Sequence, residues 1–282
     1  MSLPLASIEP LGGPGGEGLF KARSLAITSG KGGVGKTNVA ANLGLAFTQA
    51  GQRVVALDAN FGLANLDLLL GLESKGTLED VLKGGRMLEE ILLEGPGGMR
   101  ILPAGTGLQE LTRLDRASEL RLVQGLQRIA EEADWLLMDT AAGIHEAVVK
   151  LLLAADEVLV VTTPEPAAMV DAYAMVKVTH LRAPRKPIRL LVNQCTSLAE
   201  AEEAVDQMQE ACERFLGRRL RLLGAVPSDP ALLQAVREQR PVLEAYPESP
   251  SARAFRACAE RMMRGETLIR EGLAAEWGRI GG

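Results

Sequence analysis

The chain has 282 residues, 47% hydrophobic and 24% charged, with a net charge of −5. That composition suits a soluble globular fold with a full core, and the acidic balance argues against a nucleic-acid binder, which carries a basic stripe. Cys195, Cys212 and Cys258 are widely spaced without a CxxC pair and read as reduced thiols, and no apolar run approaches the ~20 residues that cross a bilayer. Residues 1–22 are rich in Gly, Pro and small side chains and read as a flexible lead. They lack the basic and apolar regions of a signal peptide, so a cytoplasmic protein is expected. Short apolar runs predict strands at 24–28, 53–57, 99–103, 135–138, 158–162, 189–192 and 221–226. Between them the pattern predicts helices at 36–50, 117–133, 144–154, 167–182, 198–216 and 231–238. Continuous apolar strands alternating with helices imply a single α/β domain over 23–264, in three layers, with a mostly parallel sheet covered by helices on both faces. In such a sheet, ligands sit beyond the carboxyl ends of the strands.

The loop after the first strand reads Gly30-Lys31-Gly32-Gly33-Val34-Gly35-Lys36-Thr37 and fits GxxxxGK[ST] at every fixed position. Glycines let successive backbone N–H groups turn inward onto phosphate oxygens, and the following helix adds its positive N-terminus. Lys36 is expected to reach the β- and γ-phosphates of ATP and the Thr37 hydroxyl to bind Mg²⁺. Asn38 extends the loop into the helix. Asp139 ends an apolar strand, where a carboxylate for a hard, partly hydrated cation belongs; capping the next helix is its other reading. Thr140-Ala141-Ala142-Gly143-Ile144 follows and suits a segment that senses the γ-phosphate. Lys31, on residues alone, is either functional or a solvated loop lysine. His145 and His180 have no metal-spaced partners and read as solvated or packing residues. Glu165 and Asp171 lie after a strand end, where partner or nucleotide contacts are one reading and helix capping or a solvated face is the favoured one.

KGGVGKT is the deviant Walker A sequence, and with it the chain resembles the MinD/ParA family of P-loop NTPases. The resemblance runs from about residue 23 to 264. It includes KGGVGKTNVAAN, DANFGLANLDLLLGL from Asp58, GPGGMRILPA, DTAAGI, EPAAMVDAYAMVK and the run AVREQRPVLEAYP. Within the family the likeness is greatest to its flagellar-number branch, the FlhG or FleN proteins. The resemblance implies an ATP-dependent homodimer in which Lys31 reaches the partner's nucleotide. It implies that Asn193 recognises adenine, with Pro227-Ser228-Asp229 lying along the base. It further implies Mg²⁺ bound by Thr37, Asp58 and Asp139, partly through water. Implied partners are flagellar: the FlhF GTPase, switch-complex proteins or a transcription regulator.

Two departures stand out. The family pattern D-x-D after the second strand is here Asp58 and Asn60. An asparagine cannot accept a proton, so slow hydrolysis is expected with binding and dimerisation intact. The first 22 residues lack the DQA-type helix through which many branch members stimulate FlhF. At the other end, residues 265–282 carry Ile269, Leu273, Trp277 and Ile280 at helical spacing, opposite a face mixing Arg270 and Arg279 with Glu271 and Glu276. This tail either packs on its own domain or makes reversible contact with the inner face of the cell membrane.

The leading expectation is thus an ATPase that switches partners by dimerising. A sensor with little hydrolysis, sequestering a transcription factor or assembly protein, and a ParA-type partitioning ATPase are the alternatives. The missing CxxC argues against an iron–sulfur carrier.

Overall fold

The computed structural model describes residues 19–60, 65–74, 76, 78–103 and 116–281. Most of the lead and residues 61–64 of the DANFGLAN segment lie outside them. The strands are β1 (Arg23–Thr28), β2 (Val54–Ala59), β3 (Leu93–Glu94), β4 (Arg100–Leu102), β5 (Trp135–Thr140), β6 (Glu157–Thr162), β7 (Ile188–Cys195) and β8 (Arg221–Pro227). They form one sheet in the order β3-β4-β2-β5-β1-β6-β7-β8. Every pair is parallel except β3 with β4. β2, β5 and β6 are buried along their whole length, as the unbroken apolar runs predict for a sheet covered on both faces.

One face of the sheet carries α4 (Arg116–Glu131), α5 (Glu146–Ala154), α6 (Pro166–Arg182) and α7 (Leu198–Leu216). The other carries α1 (Lys36–Gln49), the short α2 (Leu66–Leu69), α8 (Pro230–Arg237), α9 (Val242–Ala245) and α10 (Pro250–Met263). A short α3 (Leu78–Leu82) precedes β3. The aliphatic core, largely Leu, Val, Ala and Ile, matches the scarcity of aromatics. Phe47 stacks on Trp135 with ring centres 4.5 Å apart. All three cysteines are buried and free. β1 lies between β5 and β6, with the remaining strands added outward on each side. This is the point where strand order reverses, and the loop after β1 opens into the crevice there.

α11 (Gly272–Gly281) packs on the domain. Leu273 joins the core on one face and Ile280 the core on the other. Glu276 is buried and ion-paired with Arg261 of α10. Just before the helix, Arg270 pairs with Glu202 at 2.8 Å and Asp206 at 2.9 Å, both on α7. Of the apolar stripe, Ile269 alone is largely exposed. A stripe turned largely inward leaves Ile269 as its main apolar surface for lipid. Co-sedimentation with liposomes is therefore expected to leave the full chain in the supernatant, with or without ATP. ATP-dependent pelleting would show that α11 leaves its seat.

Candidate functional site

The site forms where β1, β2, β5, β7 and β8 end. Gly35 has φ +92° and precedes α1. That conformation strains any residue with a Cβ, and a Cβ here would also fall 2.4 Å from Asn193 Nδ2. The glycine is thus required twice, by the turn and by what lies against it. Asn193 is buried at the end of β7 and donates to the Val34 carbonyl at 2.8 Å. Gln194 adopts φ +61° and donates to the Gly33 carbonyl at 3.4 Å. Two consecutive side-chain amides therefore hold the glycine loop by its carbonyls, leaving its N–H groups to face a ligand. The Oδ1 of Asn193 is buried without a hydrogen-bond partner. An unsatisfied acceptor in such a place is costly, and an exocyclic amine of a base would satisfy it.

Lys36 is nearly buried. Burial holds its ammonium below the usual lysine range, and the charge of Asp139 opposes that shift. Asp139 is itself buried, and its carboxyl is pushed up to about 7, first by burial and then by the charge of Asp58. The Thr37 hydroxyl and Lys36 pull the other way. Asp58 and Asp139 are direct neighbours in the β2–β5 register. Burial also raises Asp58, against three backbone bonds. It accepts the amides of Asn60 at 3.0 Å, Asn65 at 2.8 Å and Leu66 at 3.0 Å. Asp58 therefore braces the start of α2, which suits contact with a cation through water rather than directly.

Asp139 Oδ1 is buried with no hydrogen-bond partner. An orphaned carboxylate oxygen beside the Thr37 hydroxyl and a second carboxylate is an all-oxygen donor set that fits Mg²⁺. Asn60 is half-buried immediately after β2, and Asn38 lies in the first turn of α1, its carbonyl accepting from Asn42 Nδ2 at 2.8 Å.

Asp229 has a different setting. It is the N-cap of α8, with Oδ1 accepting from Ala231 N at 2.9 Å. Its Oδ2 accepts from the amide and hydroxyl of Ser251 at 3.0 and 2.7 Å. Both oxygens thus accept hydrogen bonds from within the fold, tying the segment after β8 to α8 and α10.

Lys31 is the exposed lysine of the loop. Its Nζ meets Glu165 Oε1 at 2.6 Å, with 40% and 55% of the two side chains exposed. Two exposed apolar residues lie nearby. Ile144 follows Gly143, whose amide donates to the Ser29 carbonyl at 2.9 Å. Val170 precedes Asp171, whose backbone abuts Gly30. His145 is exposed beside this loop, and His180 faces Arg218 at 3.3 Å. The sequence reading missed Gln194 and did not foresee the pairing of Glu165 with Lys31. Nothing local to either residue marks it, since both contacts are made across the fold.

The family model described as the CobQ/CobB/MinD/ParA nucleotide binding domain matches residues 25–242. Antiactivator FleN of Pseudomonas aeruginosa is 43% identical over 238 residues, covering 84% of this chain and 85% of FleN. The flagellum site-determining protein YlxH of Helicobacter pylori is 33% identical over 217 residues, 77% of this chain and 73% of YlxH. The septum site-determining protein MinD of Pyrococcus horikoshii, solved with Mg-ADP, superposes with a TM-score of 0.71 at 29% identity, covering 86% of this chain and 96% of that one.

Proposed function

Because this chain belongs to the CobQ/CobB/MinD/ParA nucleotide-binding family, we propose that it is an ATP-binding, slowly hydrolysing dimerisation switch that regulates flagellar number or placement through partner binding. The observation that carries this reading is the division between the loop's two lysines. Lys36 is buried against Asp139, whereas Lys31 stands out on an exposed edge. The first serves the protomer's own nucleotide. The second is held outside the pocket in an exposed pair with Glu165, from which it can swing toward a second copy.

The loop amides and Lys36 bind and orient the triphosphate. Mg²⁺ held at Thr37 and Asp139, with Asp58 acting through water, would neutralise phosphate charge. Asn193 offers Oδ1 to the adenine amine, with Pro227 beside the base. Lys31 from a partner adds positive charge to the γ-phosphate, as an arginine finger does. Ile144 and Val170 beside it supply apolar surface for the contact. ATP favours the dimer by binding it more tightly than the protomer, and the two states present different surfaces. Relatives named as an antiactivator and a site-determining protein point to flagellar partners. A transcription regulator comes first, with FlhF or switch-complex proteins beside it. Light scattering on the eluting protein should give a dimer in ATP and a protomer in ADP. A protomer in both would sink the switch.

Asn60 favours a second reading, a sensor that hardly turns over. It can hydrogen-bond water but cannot take its proton. Asn60→Asp is expected to raise turnover by about 10-fold or more, toward the effect of a positioned base, in a phosphate-release assay. No increase would show that Asn60 does not limit the reaction.

A further inference from the structure

Lys31 is already engaged within its own protomer. Its Nζ donates to Glu165 Oε1 at 2.6 Å, across 134 residues of sequence. Backbone packing brings the two together. A Cβ on Gly30 would fall 2.2 Å from the Asp171 carbonyl, so the loop entry lies hard against the first turns of α6. The Ser29 hydroxyl donates to the Lys31 carbonyl at 2.7 Å and fixes the lysine's main chain. Glu165 is the N-cap residue of α6, yet its side chain makes no cap hydrogen bond. The carboxylate is turned to Lys31 instead. Both backbones are held, and only two flexible side chains need to move for the pair to open.

We propose that Glu165 is a positioning residue that holds Lys31 on its own protomer until assembly offers the lysine a stronger anion. This rests on the dimer-switch reading and adds a threshold to it. A triphosphate carries more charge than one carboxylate, and a closing interface removes the water that screens it. The ion pair itself is exposed, and exposed pairs contribute little. The threshold is therefore a few-fold in assembly, low enough for nucleotide to overcome. Glu165 delays premature dimers without blocking ATP-driven ones.

Assembly of the full chain is measured by light scattering against protein concentration, with Mg²⁺ and a non-hydrolysable ATP analogue. Glu165→Gln is expected to lower the concentration of half-assembly by about 2- to 5-fold, as loss of an exposed pair allows. Glu165→Asp, which keeps the charge, should stay near the parent. In the nucleotide-free chain, acylation of Lys31 by an amine-reactive reagent, read by mass spectrometry, should rise in the Gln variant. Unchanged or weaker assembly of Glu165→Gln, or unchanged acylation, overturns the latch. A parent chain that stays a protomer with the analogue sinks the switch reading instead. The acylation result then still decides whether Glu165 holds Lys31.

Discussion

Lys31→Ala is expected to cut ATP turnover by about 10³-fold or more, the scale of a cationic finger supplied in trans, while the separate protomer keeps its affinity for Mg²⁺-ATP. The two lysines of the loop predict opposite patterns. Lys36 lies inside the site and is coupled to Asp139, so its loss weakens nucleotide binding directly. Lys31 lies outside it, held by Glu165, so its loss leaves binding intact and removes charge only where a partner would bring it. Nucleotide binding by fluorescence and turnover by phosphate release separate the two. A mixing experiment tests whether the lysine acts in trans. Lys31→Ala supplies an intact pocket, Lys36→Ala supplies an intact Lys31, and the mixture should recover part of the turnover that neither shows alone. Failure to recover, with both variants folded, would place Lys31 on its own nucleotide.

The parts of this site legible in the sequence are those whose chemistry is local. The phosphate loop is eight consecutive residues between a strand and a helix, so spacing alone assigns Lys36 and Thr37. Asp58 and Asp139 each end an apolar run, and parallel pairing then makes them neighbours. What was not legible is made by distant chain segments. The cradle of Asn193 and Gln194 under the loop spans about 160 residues, with separations of 159 and 161. The contacts that Ser251 makes to the Asp229 carboxylate come from 22 residues further along the chain and have no local signal either. α10 was missed for a different reason. Its buried side runs Ala252, Phe255, Cys258, Ala259 and Met262 at helical spacing, after a Ser249 cap and Pro250. Small residues carry a weak apolar signal, and the arginines between them dilute it further. The two-residue edge strand β3 is too short to leave any periodic signature.

Asp139→Asn is expected to stabilise the nucleotide-free protein at pH 8 and to abolish the stabilisation that Mg²⁺-ATP gives the parent. The folded carboxyl is pushed up to about 7 by burial and by Asp58, above an unfolded value of about 3.9. A carboxyl raised in the folded state costs nothing while both states are protonated, below about pH 4. Between about pH 4 and 7 the unfolded chain releases the proton first, so stability falls as pH rises and then levels. The gap between those two values sets a ceiling of about 4 kcal/mol. Relaxation of the site and entry of water bring the expected gain from the neutral amide to about 1–2 kcal/mol, or several degrees in Tm at about 2–4 °C per kcal/mol. Saturating Mg²⁺-ATP should reverse the order, because ligand at about 100 times its Kd adds about 2.7 kcal/mol to the parent alone. Thermal melts at pH 5 and pH 8, with and without Mg²⁺-ATP, give four comparisons. A variant less stable than the parent without ligand at pH 8 would mean that Asp139 is a structural cap. A variant that still gains stability from Mg²⁺-ATP would remove it from the cation site. The burial and the neighbouring Asp58 charge that make the Asp139 carboxylate costly are what a bound cation would offset, so the predicted instability and the predicted metal role share one origin.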